Sequence, residues 1–113
     1  MGHGSAVPER FRAVIYTTGI TSNFAPEMDD LRGYVGGRYW TLSGTYFDPE
    51  DAIQGDERPA LTEAVASIKN GQATALVIDQ QSYDALPPSV QTWLKAEIEQ
   101  HGGFISAVSL RDD

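Results

Sequence analysis

The 113-residue chain contains no cysteine, which excludes a disulfide framework, a thiolate metal site and a cysteine nucleophile. A chain without cysteine fits a reducing compartment, so we expect a cytoplasmic protein. Long apolar runs are also missing. No stretch approaches the ~20 apolar residues of a membrane span, and residues 1–9 lack the apolar segment of a signal peptide. We therefore expect no association with a membrane.

Positive charge is scarce. Eight Lys and Arg face sixteen Asp and Glu, which gives a formal net charge of -8. Such a chain repels the phosphate backbone that dominates non-specific affinity for nucleic acids. The basic residues are also dispersed along the sequence rather than gathered in one stripe. The sequence therefore predicts no autonomous DNA binding.

The composition is that of an ordinary packed domain, with 41% hydrophobic and 21% charged residues. The length suffices for one domain around one core. We predict a single α/β domain over residues 10–113, preceded by a disordered N-terminus or tag remnant at residues 1–9.

Four β-rich runs alternate with three helical patterns, which indicates βαβ units in a three-layer αβα domain with a mostly parallel four-stranded sheet. The predicted strands cover residues 12–17, 40–47, 74–78 and 104–110, and the predicted helices cover residues 26–35, 59–69 and 88–100. The first and third strands are nearly continuous apolar runs, so they should be central. The second alternates and suits an edge. Right-handed crossovers then favour the flavodoxin-like order 2-1-3-4.

The loop at residues 17–23 follows a central strand and precedes a helix, which is where open α/β sheets bind ligands. Its polar side chains predict an anion-binding site formed by Thr17, Thr18, Thr21, Ser22 and Asn23. The alternative is that Ser22 or Asn23 caps the helix while the threonines satisfy loop amides. Neither a Walker spacing nor Gly-x-Gly-x-x-Gly is present.

The middle of the chain carries a recognisable succession of features. An acidic loop at residues 48–57 leads into Arg58-Pro59-Ala60-Leu61, a helix, a stop at Gly71 and an apolar strand at residues 75–78. This succession resembles the centre of a serine recombinase (resolvase/invertase) catalytic domain. The resemblance extends over residues 11–110 and implies a resolvase-like fold. It also implies truncation, because the family's domain continues into a long helix and a DNA-binding module.

The same resemblance places the family's chemistry at the end of the first strand. The family reads tyrosine, any residue, arginine, any residue, serine, in which the serine attacks a DNA phosphate. Tyr16 matches the tyrosine, but Thr18 stands at the arginine position and Ile20 at the serine position. A two-residue insertion would bring Ser22 into register.

The family's second signature, an Asp-Arg pair and a further arginine after the third strand, is incomplete in this chain. Residues 79–86 contain Asp79 but no arginine. Phosphoryl transfer without a metal depends on positive groups, and loss of one such donor commonly costs roughly 10²-fold in rate. Arg58 alone matches an active-site arginine of the family. It fits equally well as a structural residue at a helix start.

The leading hypothesis is a degenerate, catalytically inactive resolvase-like domain that acts as a protein-interaction or regulatory module, through a protein partner or self-association. Tyr16 and Arg58 would be the remnant of its pocket. One alternative is a divergent serine recombinase with Ser22 or Thr21 as nucleophile. Another is a small anion- or nucleotide-binding module.

Two further features bear on partners. The acidic residues Asp48, Glu50, Asp51, Asp56 and Glu57 lack the Asp-x-Asp-x-Asp-Gly spacing of a calcium loop, which favours a solvated loop. We predict no metal and no cofactor. Trp40, Tyr46 and Phe47 on the predicted edge strand are candidate anchors for protein contacts, with burial of Trp40 in the core as the alternative.

Overall fold

The computed structural model describes residues 11–19, 24–50 and 58–109. The predicted N-terminal stretch at residues 1–9 lies outside this part of the chain. In chain order the elements are β1 (Arg12–Gly19), α1 (Phe24–Gly37), β2 (Thr41–Pro49), α2 (Pro59–Lys69), β3 (Ala75–Asp79), α3 (Gln80–Ala85), α4 (Pro88–Gln100) and β4 (Phe104–Val108). None of these helices is long and apolar enough to cross a membrane.

The sheet has four strands in the order β2-β1-β3-β4, and all three neighbouring pairs are parallel. This order confirms the prediction from the sequence, including β2 at an edge. The continuous apolar runs of β1 and β3 are buried because helices cover both faces of a doubly wound sheet.

Alternate residues of each strand point to opposite faces, so the sheet has two cores. Helix α1 covers one face with Met28, Leu31 and Val35, which pack on Ala13, Ile15, Ala75 and Val77. Helices α2 and α4 cover the other face with Leu61, Ala64, Val65, Ile68, Leu94 and Ile98, which pack on Val14, Tyr16, Leu76 and Ile78. The arrangement confirms the predicted three-layer α/β domain.

The structure differs from the sequence-based prediction at the ends of the strands. Strand β1 continues to Gly19, so Thr18 belongs to the strand rather than to a loop. Strand β2 continues to Pro49, and Asp48 lies in it at 3% exposure. The expectation that Asp48 is a solvated loop residue is therefore wrong. The other acidic residues after Glu50, namely Asp51, Asp56 and Glu57, lie outside the described part of the chain.

Two of the three candidate anchors, Trp40 and Tyr46, are partly buried against the two cores. The Tyr46 ring packs against the core under α2, and its hydroxyl lies 3.0 Å from Ser67 Oγ. Trp40 packs on the α1 face against Tyr34 and Phe104. Trp40 is therefore partly buried against the core, which favours the structural alternative over a free contact surface. Truncation of Tyr46 would cost stability, so Tyr46 is a poor probe of protein contacts at this edge.

Candidate functional site

The polar side chains gather where β1, β2 and β3 end. Because the strands are parallel, their carboxyl ends meet at one edge of the sheet, beside the starts of α2 and α3. We call this group the carboxyl-edge site, and it consists of Tyr16, Thr17, Thr18, Asp48, Arg58, Asp79 and Ser82.

Asp48 links β2, β1 and α2. Its Oδ2 accepts a hydrogen bond of 2.8 Å from the Tyr16 hydroxyl. The two oxygens also accept the amides of Ala60 at 2.9 Å and Leu61 at 3.1 Å. These amides belong to the first turn of α2, whose own N-cap residue, Arg58, makes no side-chain capping bond. Asp48 therefore caps α2 from a neighbouring strand and occupies donors that would otherwise attract an anion.

Tyr16 is fully buried at the end of the central strand. Burial raises the pKa of its phenol far above the ordinary range, and the hydrogen bond and charge of Asp48 raise it further. The positive charge of Arg58 acts in the opposite direction with a smaller effect. Tyr16 therefore stays protonated and serves as a fixed donor to Asp48.

A second cluster joins the end of β1 to the start of α3. The Thr17 hydroxyl donates to Asp79 Oδ1 at 2.8 Å, and the Ser82 amide donates to Asp79 Oδ2 at 3.0 Å. Ser82 Oγ accepts the Thr18 amide and donates to the Thr18 carbonyl, each at 3.0 Å. All three side chains are buried, at no more than 3% exposure. Asp79 therefore caps α3, and its hydrogen bond with Thr17 also joins β3 to β1.

The predicted anion-binding residues are only partly described. The Thr17 hydroxyl faces Asp79, and Thr18 Oγ1 donates to the Asp48 carbonyl at 2.7 Å. Thr21, Ser22 and Asn23 lie outside the described residues, and so does Ile20. Anion binding by this segment stays a prediction, as does nucleophilic attack by Ser22 or Thr21. The role of Tyr16 and Arg58 as a remnant pocket also stays a prediction, although the charge of Arg58 does reach Tyr16.

Sequence reasoning missed the parts that Asp48, Asp79 and Ser82 play. Asp48 gave no usable signal, because it is the first of several acidic residues between the predicted second strand and α2. Asp79 and Ser82 did give one, since an aspartate three residues before a serine matches the spacing of an N-cap to the N3 amide.

Negative side chains outnumber positive ones among the described residues of the site. Asp48 and Asp79 are buried carboxylates, and Arg58 is the cationic side chain that the site contributes. Each carboxylate is engaged by donors from the protein itself. Among the described residues no group of three His, Cys, Asp or Glu is arranged to hold a metal ion. Each side-chain hydrogen bond described above for the carboxyl-edge site joins two different secondary structure elements.

No protein-family model matches the sequence, and no curated protein is significantly similar to it. Solved structures do match. The C-terminal catalytic domain of ISC1926 TnpA, an IS607-like serine recombinase, is similar at TM-score 0.69 and 14% identity over 87% of this chain and 70% of that one. The N-terminal catalytic domain of TP901-1 integrase is similar at TM-score 0.67 and 28% identity over 84% and 75%.

A third similar structure is the first open reading frame of transposon ISC1904 from Sulfolobus solfataricus P2, at TM-score 0.57 and 12% identity over 89% of this chain and 69% of that one. Together with the strand order, these likenesses define the class of protein as a doubly wound, parallel α/β domain with its polar site at the carboxyl edge. More narrowly, the chain has a serine recombinase catalytic-domain-like fold, as the sequence resemblance predicted.

Proposed function

We propose that the chain is a catalytically inactive resolvase-like domain that works as a protein-interaction or regulatory module. One observation carries this proposal: the Asp48 carboxylate occupies the first amides of α2, at 2.9 Å from Ala60 N and 3.1 Å from Leu61 N. Helix N-terminal amides are natural ligands of a phosphate. Here a phosphate would have to displace a buried carboxylate that is also bonded to Tyr16.

The surrounding charges support the same proposal. A phosphodiester approaching the carboxyl-edge site meets the carboxylates of Asp48 and Asp79, and positive charge comes from Arg58. The positions that match the family's other arginines hold no cation, because Thr18 stands at one and residues 79–86 lack arginine. Since positive groups must offset the charge that develops in phosphoryl transfer, this set of residues is poorly suited to it.

A divergent serine recombinase is the second candidate function. The 28% identity to the catalytic domain of TP901-1 integrase favours it, as does the proximity of the Arg58 charge to Tyr16. In that case Ser22 or Thr21 would supply the nucleophile. The two candidates make opposite predictions for a covalent link between protein and DNA.

The inactive module is expected to show no saturable binding to duplex DNA. The net charge of -8 and the carboxylates at the site both repel phosphates. Fluorescence anisotropy of a labelled duplex, titrated with up to about 10 μM protein near 0.15 M salt, measures this within the range of ordinary non-specific affinities. A second titration with inorganic phosphate follows the amide NMR signals of Ala60 and Leu61, which should not move.

The control is the same pair of titrations on Asp48→Asn, which removes the negative charge that β2 holds against the first turn of α2. Micromolar duplex affinity in the wild-type chain, falling steeply as salt rises, would contradict the proposal. Saturable movement of the Ala60 and Leu61 signals in the wild-type chain would also contradict the proposal. Such movement would mean that phosphate binds the amides that Asp48 occupies.

A further inference from the structure

The two edges of the sheet are protected differently. The β2 edge carries an irregularity, because Ala13 pairs with Leu42 while Val14 pairs with Gly44, and the strand ends in Asp48 and Pro49. Bulges, charges and prolines are the usual devices that keep an edge strand from pairing with another chain. Strand β4, Phe-Ile-Ser-Ala-Val, has no charge, no proline and no break in its register with β3. Among the described residues no strand pairs with the outer side of β4, so this edge offers backbone groups for strand pairing.

The register of β4 with β3 determines which backbone groups of β4 face away from the described sheet. The Phe104 amide donates to the Thr74 carbonyl at 3.0 Å, so this residue faces β3. Backbone groups alternate along a parallel ladder, so the amides and carbonyls of Ile105 and Ala107 point away from the sheet. Beside them lies a groove of about 430 Å³ between β4, α3 and α4, whose lining includes Tyr83, Lys95, Glu99, Ile105 and Ala107.

We propose that this edge pairs with the β4 edge of a second copy of the chain, antiparallel across a two-fold axis, to give a continuous sheet of twice four strands. The inference rests on the proposed function, of which it specifies the self-association. An isologous interface must be self-complementary, because the same patch meets itself in reverse. The β4 edge meets this condition in its backbone, since outward amides and carbonyls alternate along it.

The charges beside the edge meet the same condition. Lys95 and Glu99 lie one turn apart on α4, both exposed and both at the groove. In the proposed dimer the two-fold axis reverses the direction of α4 and passes midway between Lys95 and Glu99, so Lys95 of each copy faces Glu99 of the other. A chain of net charge -8 repels its copy overall, and local pairs of this kind decide which faces meet. These reciprocal charges are the reason to choose a second copy over an unrelated peptide.

The size of the surface sets the expected strength. Stable interfaces bury about 800 Å² per partner, and a five-residue strand with one turn of helix supplies only part of that area. We expect a dimer with a dissociation constant in the micromolar range, visible by sedimentation velocity when the protein concentration is varied from about 5 to 500 μM.

Charge reversal tests the geometry. Lys95→Glu places two glutamates opposite each other at both pairs, and Glu99→Lys places two lysines there, so each single variant should dimerise at least about 10-fold more weakly. Mixing the two single variants restores opposite charges at both contacts, and so does the double variant K95E/E99K within one chain. Both should recover dimerisation to within about 3-fold of the wild-type chain. Ala107→Lys, at an outward edge position, should abolish the dimer and leave the circular dichroism unchanged.

Three results would overturn the inference: a wild-type chain that is monomeric at every concentration, a dimer insensitive to Ala107→Lys, or single variants that fail to recover when mixed. None of these results bears on DNA cleavage. Catalytic activity in a chain that dimerises through β4 would overturn the proposed function and leave the interface in place.

Discussion

Asp48→Ala is expected to lower the free energy of unfolding by about 3–5 kcal/mol, because it leaves several buried donors unsatisfied. The substitution leaves the Tyr16 hydroxyl and the amides of Ala60 and Leu61 without their acceptor. A buried donor that loses its partner costs about 1–3 kcal/mol, and the capping charge at the start of α2 disappears with it. Urea denaturation followed by circular dichroism gives the change as a shift of the midpoint at constant slope.

The matched control is Glu63→Ala, which removes the same charge from an exposed position of α2 and should change stability by no more than about 0.5 kcal/mol. Asp48→Asn should fall between the two, because the amide keeps one acceptor oxygen but turns an N–H towards another donor. A loss below about 1 kcal/mol for Asp48→Ala would mean that the capping of α2 by β2 contributes little to the fold.

Gly103→Ala is expected to cost about 2–3 kcal/mol, at the upper end of the range for overpacking. A Cβ atom on Gly103 would lie 2.6 Å from the Thr74 carbonyl oxygen, 3.0 Å from Ile68 Cγ2 and 3.2 Å from Ile98 Cγ2. The carbonyl is backbone and also accepts the Phe104 amide, so the start of β4 must move. Thermal unfolding should report the loss as a lower midpoint.

Gly36→Ala serves as the control for Gly103→Ala, because a Cβ atom at Gly36 meets nothing within 4 Å. Helix α1 includes this residue, so alanine should leave stability unchanged or raise it by up to about 1 kcal/mol. Equal melting temperatures for the two variants would contradict the prediction. They would show that the turn before β4 can move away from the Thr74 carbonyl without loss of stability.

The architecture was predictable because its signals are local. The apolar runs in β1 and β3 are what strands covered on both faces require, and the helices stop near Gly37, Gly71 and Gly102. The alternation in β2 indicated an edge, and the order of the sheet then followed from right-handed crossovers. Each of these features depends on residue types within a short window.

The candidate site was less predictable because its contacts are distant in sequence. Asp48 begins an acidic segment, and nothing in residue type separates it from its neighbours. Its burial comes from Tyr16, 32 residues earlier, and from the start of α2, 12 and 13 residues later. The short helix α3 was missed because six residues show no apolar periodicity. It exists because Asp79 caps it while bonding Thr17, 62 residues away in sequence.

The proposal of an inactive domain is tested most directly by a search for covalent DNA. Supercoiled plasmid is incubated with the chain, quenched in detergent and resolved by denaturing electrophoresis, with Ser22→Ala and Thr21→Ala in parallel. An inactive domain leaves the plasmid intact and forms no protein-linked strand in any of the three samples. A protein-linked strand formed by the wild-type chain and lost in Ser22→Ala or Thr21→Ala would contradict the proposal and identify the nucleophile of a divergent serine recombinase.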